Sequence, residues 1–300
     1  MLNLDQIRNE FPVTLSNTYL NHAACSPIST RVRHAMELLL KDQNEFAAIH
    51  HSQWDRGVDE ARGLVAEFIN APSEQVAFVK NTSEGISFVA SGLPWKDGDN
   101  VVLNSLEFPA NVFPWLNLQS RGVEVRFVEA TDGRIATDDI RDALDDRTRV
   151  VAMSHIQFGN GYRSDIASVG ALCRERGVWF VVDAIQSLGH IKVDLAQTPV
   201  DVLTGASYKW LMAPEGSGVF YCSPEIMEHL QLHEIGCGAM AHPGVYDTYT
   251  FELAPDARRF ECGTPNTIGI SGLGAALKLF LEVGMDHVED RLIHLSEALI

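Results

Sequence analysis

The chain has 300 residues, with 23 Lys plus Arg against 40 Asp plus Glu, a formal charge of −17 at pH 7, 46% hydrophobic and 8% aromatic residues. That length holds one large domain or two modest ones around a substantial core. The acidic excess argues against a nucleic-acid groove and against polybasic adhesion to anionic membrane, and no apolar run reaches the length of a membrane span. The first ten residues carry acids where a secretory signal would be apolar. The five cysteines, Cys25, Cys173, Cys222, Cys237 and Cys262, are widely spaced with no Cys-x-x-Cys pair. Neither a disulfide framework nor a zinc site is expected, and a reduced, cytoplasmic protein without metal is the simplest reading.

In chain order, residues 4–10 suggest a short lead helix. A strand follows at 75–80, and a helix opens near Thr82. Further strands are expected at 100–104, 123–128, 150–154, 178–182, 200–203 and 218–221. Helical patterns lie between them, as at 138–144 and 165–176. This alternation predicts an α/β protein with a mainly parallel sheet covered by helices. Val178-Trp179-Phe180-Val181-Val182 is apolar throughout, as a strand buried on both faces should be. Ligands of such sheets gather at the carboxyl ends of strands. Two amphipathic helices, 268–281 and 288–300, close the chain. The last carries Leu292, Ile293, Leu295, Leu299 and Ile300 near one face and has no Gly, Asn or Pro stop. More chain, or a partner subunit, is expected to cover that end.

Four positions after predicted strands could carry chemistry. Lys209 is one of six lysines and sits among apolar and small neighbours. Burial lowers an ammonium's pKa and frees a nucleophilic amine, as a Schiff-base lysine requires, although a surface lysine on a loop fits the local sequence too. Asp183 closes the apolar strand. A carboxylate there needs a cationic partner, such as a protonated pyridine nitrogen, or it caps the next turn. Gln186 could reach the same ring. Asn81-Thr82-Ser83-Glu84 joins strand to helix, so Thr82 and Ser83 could bind phosphate while Asn81 and Glu84 form a capping box. Tyr208 offers a further hydroxyl. Phe108 could stack on a planar cofactor or fill the core. Together these meet the needs of pyridoxal phosphate.

In these motifs the chain resembles the class V aminotransferase family of pyridoxal-phosphate enzymes, which includes cysteine desulfurases, selenocysteine lyase, kynureninase and isopenicillin N epimerase. The resemblance runs from Tyr19-Leu-Asn-His-Ala-Ala through Asn81-Thr-Ser-Glu-Gly, Glu107-Phe-Pro-Ala-Asn, Ser154-His-Ile-Gln-Phe-Gly-Asn-Gly, Val182-Asp-Ala-Ile-Gln and Tyr208-Lys-Trp-Leu to Arg259-Phe-Glu-Cys-Gly-Thr-Pro-Asn. It implies the fold-type I architecture of such transferases and a homodimer with shared active sites. A large cofactor domain would span 18–254, and 1–17 plus 255–300 would form part of a small domain whose remainder is missing. It further implies Lys209 as the Schiff-base lysine, Asp183 as the pyridinium partner and Gln186 near the ring hydroxyl. Thr82, Ser83 and Tyr208 would hold the phosphate, Thr264 would reach the neighbouring subunit's phosphate, and Phe108 would stack over the ring. Two departures stand out. Desulfurases carry a proton-transferring histidine where this chain has Phe108, and an asparagine where it has Phe158. The family's C-terminal domain also supplies a carboxylate-binding arginine and the desulfurase cysteine, neither of which is assignable here. Cys25 and Cys262 read as buried small residues.

The expected activity is therefore pyridoxal-phosphate chemistry on an amino acid through Lys209: transamination, carbon–sulfur cleavage or epimerisation. The alternatives are a desulfurase or selenocysteine lyase, or a truncated cofactor-binding protein without activity. His50-His51 reads as a solvated helix end, and Gly269-x-x-Gly-x-Gly lies in a helical pattern after no strand, which argues against a dinucleotide fingerprint and a nicotinamide enzyme. One of Arg258 and Arg259 is expected to pair with Glu261 or with the partner subunit.

Overall fold

The computed structural model describes residues 4–245 and 247–299. Its strands are β1 (Val76–Val79), β2 (Asn100–Asn104), β3 (Glu124–Val128), β4 (Thr148–Ser154), β5 (Trp179–Asp183), β6 (Val202–Ala206) and β7 (Gly218–Cys222). Its helices are α1 (Leu4–Asn9), α2 (Thr30–Phe46), α3 (His51–Ile69), α4 (Thr82–Gly92), α5 (Phe113–Leu116), α6 (Thr137–Ala143), α7 (Ile166–Arg176), α8 (Pro224–Met227), α9 (Thr267–Val283) and α10 (Met285–Leu299). The strands form one sheet in the order β1-β7-β6-β5-β4-β2-β3, and only β7 runs against its neighbours. The fold is thus the α/β architecture expected.

The apolar runs are strands because both of their faces are covered. Successive side chains alternate across a sheet. Val150 and Ala152 of β4 enter one apolar layer, with Ile86 and Val89 of α4 and Trp115 of α5. Val151 and Met153 enter the other, with Val65 of α3, Leu172 of α7 and Leu277 of α9. In β5, Val181 faces the first layer, while Phe180 and Val182 face the second.

Several boundaries move. β6 lies at 202–206 rather than 200–203, because Gly205 and Ala206 have little strand propensity yet are buried and paired to β7. Asp183 is the last residue of β5 rather than the residue after it. The sequence reading names neither α2 nor α3. Ser29 caps α2 through a hydrogen bond from Val32 N at 3.2 Å, and Asn70 ends α3 in the left-handed region. The glycines of 269–274 are helical, inside α9, and serve packing. A Cβ on Gly272 would lie 2.9 Å from Pro214 and 3.2 Å from Met36 on α2. That bare surface lets α9 cross α2 and α3 closely.

The last helix begins at Met285, and Ile300 lies outside the described residues. None of its residues is buried, and Leu299 is 77% exposed. Its first half is tied down by ion pairs from Lys192 to Asp286 and from Arg163 to Glu289. Among the described residues no single helix is long and apolar enough to cross a membrane. α9 and α10 pass such a test only as a pair bent by 81°.

The expected Glu261 pair is overturned. Buried Arg62 of α3 makes a bidentate contact to Glu261 at 2.6 and 3.0 Å and donates to Val76 O. Arg258 pairs with Asp256 instead, and Arg259 donates to Ala254 O. Arg62 wins because a buried guanidinium must be satisfied, whereas Arg258 can remain in water. His50 and His51 each contact a separate carboxylate, Asp42 at 2.7 Å and Asp55 at 3.1 Å, at the α2–α3 corner. No cluster of three or more metal-type ligands occurs among the described residues.

Gly85, in the first turns of α4, packs directly on β6. An added Cβ would lie 2.2 Å from Thr204 Oγ1 and 2.8 Å from Thr204 Cβ. Overpacking costs about 1–3 kcal/mol, and the better helix propensity of alanine returns about 1 kcal/mol. Gly85→Ala is therefore expected to lower the urea midpoint with an unchanged m-value. An unchanged midpoint would show that Thr204 can yield.

Candidate active site

Six of the seven strands are parallel, so β1, β2, β4, β5 and β6 all end on one edge of the sheet. Asp183 closes β5, and the turns after the other four carry Thr82 and Ser83, Phe108, His155 and Lys209. Strand register aligns Ser154, Asp183 and Thr204 in one row across β4, β5 and β6. Residues that are far apart in the chain meet here for that reason alone.

Lys209 sits in a tight turn after β6 and is 7% exposed. Met212 N donates to Lys209 O at 2.9 Å, and Ser26 N to Tyr208 O at 2.9 Å, so the N-terminal segment holds the turn. The ammonium lies 5.5 Å from the centroid of the Phe108 ring. Burial draws the Lys209 pKa below its ordinary value, while the charge of Asp183 works against that shift. The surface-lysine alternative is thereby excluded.

Asp183 is 1% exposed. Its Oδ1 accepts Ile185 N at 2.9 Å, the turn-capping bond that its position suggests. Its Oδ2 is buried with no partner among the described residues. Burial pushes the carboxyl up to about 7, Glu107 adds to the rise, and Lys209 opposes it. A buried carboxylate oxygen with no donor is costly unless a cation is supplied. A protonated ring nitrogen fits that oxygen, so the residues present suit pyridoxal phosphate.

At the start of α4, Asn81 Oδ1 accepts Glu84 N at 3.0 Å. Glu84 reaches back to Lys80 N, one residue before the expected partner of a capping box. Thr82 is buried, and its Oγ1 accepts Ala206 N at 3.1 Å, joining α4 to the lysine turn. Ser83 is exposed, and Tyr208 is partly buried with its phenol pKa raised, chiefly by burial. Phe108 is 41% exposed and meets Phe158 edge to face at 5.1 Å. Phe108 is therefore no core residue. Gln186 is buried, with Nε2 donating to Ala23 O at 3.1 Å and Oε1 accepting Trp210 Nε1 at 2.7 Å. Thr264 stands apart: it is exposed before α9, on a recess shared with Lys80, Glu84 and Cys262 rather than with Lys209.

Sequence reasoning missed Glu107. This buried carboxylate accepts Asn104 Nδ2 at 2.6 Å, Asn111 Nδ2 at 2.9 Å, Ser154 N at 2.7 Å, Ser154 Oγ at 2.6 Å and Gln157 Nε2 at 2.9 Å. It ties the turn carrying Phe108 to the end of β4. A charge set between Leu106 and Phe108 was the available signal. His155 was also missed as a site residue. Burial pushes it down to about 3, and its Nδ1 lacks a partner. The reading of Cys25 and Cys262 as buried is overturned. Cys25 is exposed and Cys262 intermediate, because both lie in loops outside the two apolar layers. Cys173 and Cys222 are the buried thiols, and burial pushes Cys173 up to about 12.

Comparison with known proteins agrees with this geometry. The family model for class V aminotransferases matches residues 18–300. The chain belongs to the class V aminotransferase family. A curated relative named probable cysteine desulfurase, from Methanothermobacter thermautotrophicus, is 33% identical over 98% of this chain and 74% of its own length. A cysteine desulfurase from Cronobacter sakazakii is 33% identical over 96% and 74%. The solved apo structure of the Thermococcus onnurineus cysteine desulfurase superposes with a TM-score of 0.86 at 28% identity, covering 97% of this chain and 74% of that one. The chain is thus a pyridoxal-phosphate-dependent enzyme of the class V family.

The raised Asp183 pKa makes apo stability depend on pH. Its ordinary value is near 3.9 and its folded value about 7. Between those values the folded chain holds the extra proton, so stability falls as pH rises, by at most about 1.4 kcal/mol per pH unit. Asp183→Asn is expected to be more stable than wild type at pH 8, with the advantage gone near pH 4. Urea unfolding of both apo-proteins across that range measures it, and a pH-independent difference would refute the shift.

Proposed function

We propose that this chain cleaves the carbon–sulfur bond of a cysteine-class amino acid through a Schiff base at Lys209. The observation that carries this is the buried Lys209, its pKa lowered by burial, on the same sheet edge as a buried Asp183 whose Oδ2 has no partner among the described residues. The curated relatives named as cysteine desulfurases supply the substrate class.

When bound, pyridoxal phosphate supplies the sink for the electron pair left at the substrate α-carbon. Lys209 is its point of covalent attachment. With the substrate amine in its place, Lys209 Nζ would be positioned to take the α-proton as general base, a role that its lowered pKa favours. Asp183 Oδ2 would accept from the ring nitrogen and favour its protonated form. Thr82, Ser83 and Tyr208 offer donors to the phosphate, Gln186 to the ring oxygen, and Phe108 covers one ring face against water. The Cβ–S bond then breaks with its electron pair going to sulfur. Sulfur would leave as hydrosulfide from cysteine or as a persulfide anion from cystine, each a weaker base than an alkyl thiolate, so no general acid is required and phenylalanine in place of a desulfurase's histidine does not block this route. The same Phe108 favours a second reading, amino transfer or epimerisation, in which all proton traffic stays at the α-carbon.

We further propose a homodimer in which Thr264 reaches the other subunit's phosphate. Its exposure, away from its own Lys209, supports this, as does the exposed apolar segment with Ile235, Val245, Tyr249 and Phe251. The division into a large domain, 18–254, and a partial small one, 1–17 plus 255–300, belongs to the same proposal. So does a cytoplasmic location, in keeping with five unpaired thiols.

Borohydride reduction followed by peptide mapping tests the attachment. A pyridoxyl-phosphate adduct is expected on the Lys209 peptide and none in Lys209→Ala; an adduct elsewhere would overturn the assignment. With cysteine or cystine, sulfur should be released in step with pyruvate. Alanine instead of pyruvate would point to desulfurase chemistry, and a keto acid without sulfur release to transamination. Sedimentation equilibrium should give a dimer, and Thr264→Ala should weaken cofactor binding without dissociating it. A monomer that binds the cofactor fully would overturn the shared site.

A further inference from the structure

Trp210 directly follows Lys209, and two imidazoles stack on its indole. His190 lies 4.1 Å away between centroids with planes 16° apart, and His22 lies 5.4 Å away with planes 24° apart. His22 belongs to the N-terminal segment, and His190 to the loop after β5, so the indole is gripped by two segments far apart in the chain. His190 is itself held, with Nδ1 at 3.2 Å from Gln186 O. The indole N–H points at the Gln186 side chain, 2.7 Å from Oε1.

This contact fixes which way the Gln186 amide faces. An indole N–H can only donate, so the atom opposite must be the amide oxygen. The other amide group faces Ala23 O at 3.1 Å, and a carbonyl can only accept, so that group must be nitrogen. The two constraints agree, and flipping the amide would break both bonds. Among the described residues the second Nε2 hydrogen has no acceptor. A buried side chain thus keeps one open donor, at the turn that follows Asp183.

We propose that Trp210 is a positioning residue: its indole N–H locks the Gln186 amide so that Gln186 presents a hydrogen-bond donor to the cofactor's ring oxygen. This rests on the pyridoxal-phosphate reading of the site. A fixed donor favours the ring oxygen as an anion. That anion gains further charge when the lysine imine loses its proton, so the donor lowers the imine pKa. Releasing the amide therefore raises it. His22, His155, His190, Asp183 and Tyr208 also surround this cluster, so a single variant is not decisive, and a double-mutant cycle is required.

The test uses the holoprotein, with the imine pKa read from its visible absorbance during a pH titration. Trp210→Phe keeps an aromatic ring for the two imidazoles and loses the N–H. It is expected to raise the imine pKa by about half to one unit, the worth of one net hydrogen bond. Gln186→Ala should raise it as much, and the double variant no further. An unmoved pKa in Trp210→Phe, or additive shifts in the double variant, would overturn the lock. Should Trp210→Phe fail to fold, hydrogen exchange of the Trp210 indole N–H in Gln186→Ala decides. About tenfold faster exchange is expected, and unchanged exchange refutes the contact. Borohydride mapping of the same samples separates the two levels. No adduct at Lys209 overturns the site reading and the lock together, whereas an adduct with additive shifts overturns the lock alone.

Discussion

A carboxylate buried at the end of a parallel strand, with one oxygen lacking a donor, is the constraint on which the rest of this structure turns. Asp183 can avoid the cost of a buried charge by moving to the surface, by meeting a cation or by holding its proton, and its raised pKa shows the last of these at work. It cannot move, because β5 lies between β4 and β6 with apolar layers on both faces. The lysine turn, the α4 start and the Phe108 turn are arranged around that fixed point.

Each arrangement has its own fastening. The Thr82 hydroxyl joins the start of α4 to Ala206, three residues before Lys209. Glu107 gathers five donors and so holds the Phe108 turn against the end of β4. The N-terminal segment closes over the lysine turn through Ser26, Ala23 and His22. Most of these bonds are buried, where an unmade partner costs more than a made bond returns, so they specify geometry more than they add stability. Burial lowers the pKa of Lys209, and the charge of Asp183 opposes that shift. The raised pKa of Asp183 weakens that opposition in the absence of cofactor.

Much of the site was legible in the chain because its residues stand where local pattern changes. Asp183 interrupts an apolar run, Lys209 is the one lysine or arginine between Lys192 and Arg258, and Asn81 opens a helix with its own cap. Residues whose meaning depends on distant partners were not legible. Glu107 acts through Asn111, Ser154 and Gln157, and Trp210 through Gln186, His22 and His190. Glu261 looked like a partner for its neighbours Arg258 and Arg259, yet buried Arg62, 199 residues away, takes it. Local spacing carries no information about such pairs.

By itself the sequence determined the alternation of strands and helices, the buried central strands and the placing of one lysine and one aspartate at the ends of such strands. Those follow from hydrophobic period and from single charges in apolar surroundings, which are properties of a few neighbouring residues. Only the tertiary structure decided that the turns share one edge, that Asp183 Oδ2 is without a donor, that Thr264 faces away from its own lysine, and that the Gln186 amide has one orientation. Those facts come from strand order and from pairings between segments far apart in the chain, which burial and hydrogen-bond satisfaction select once the sheet has formed.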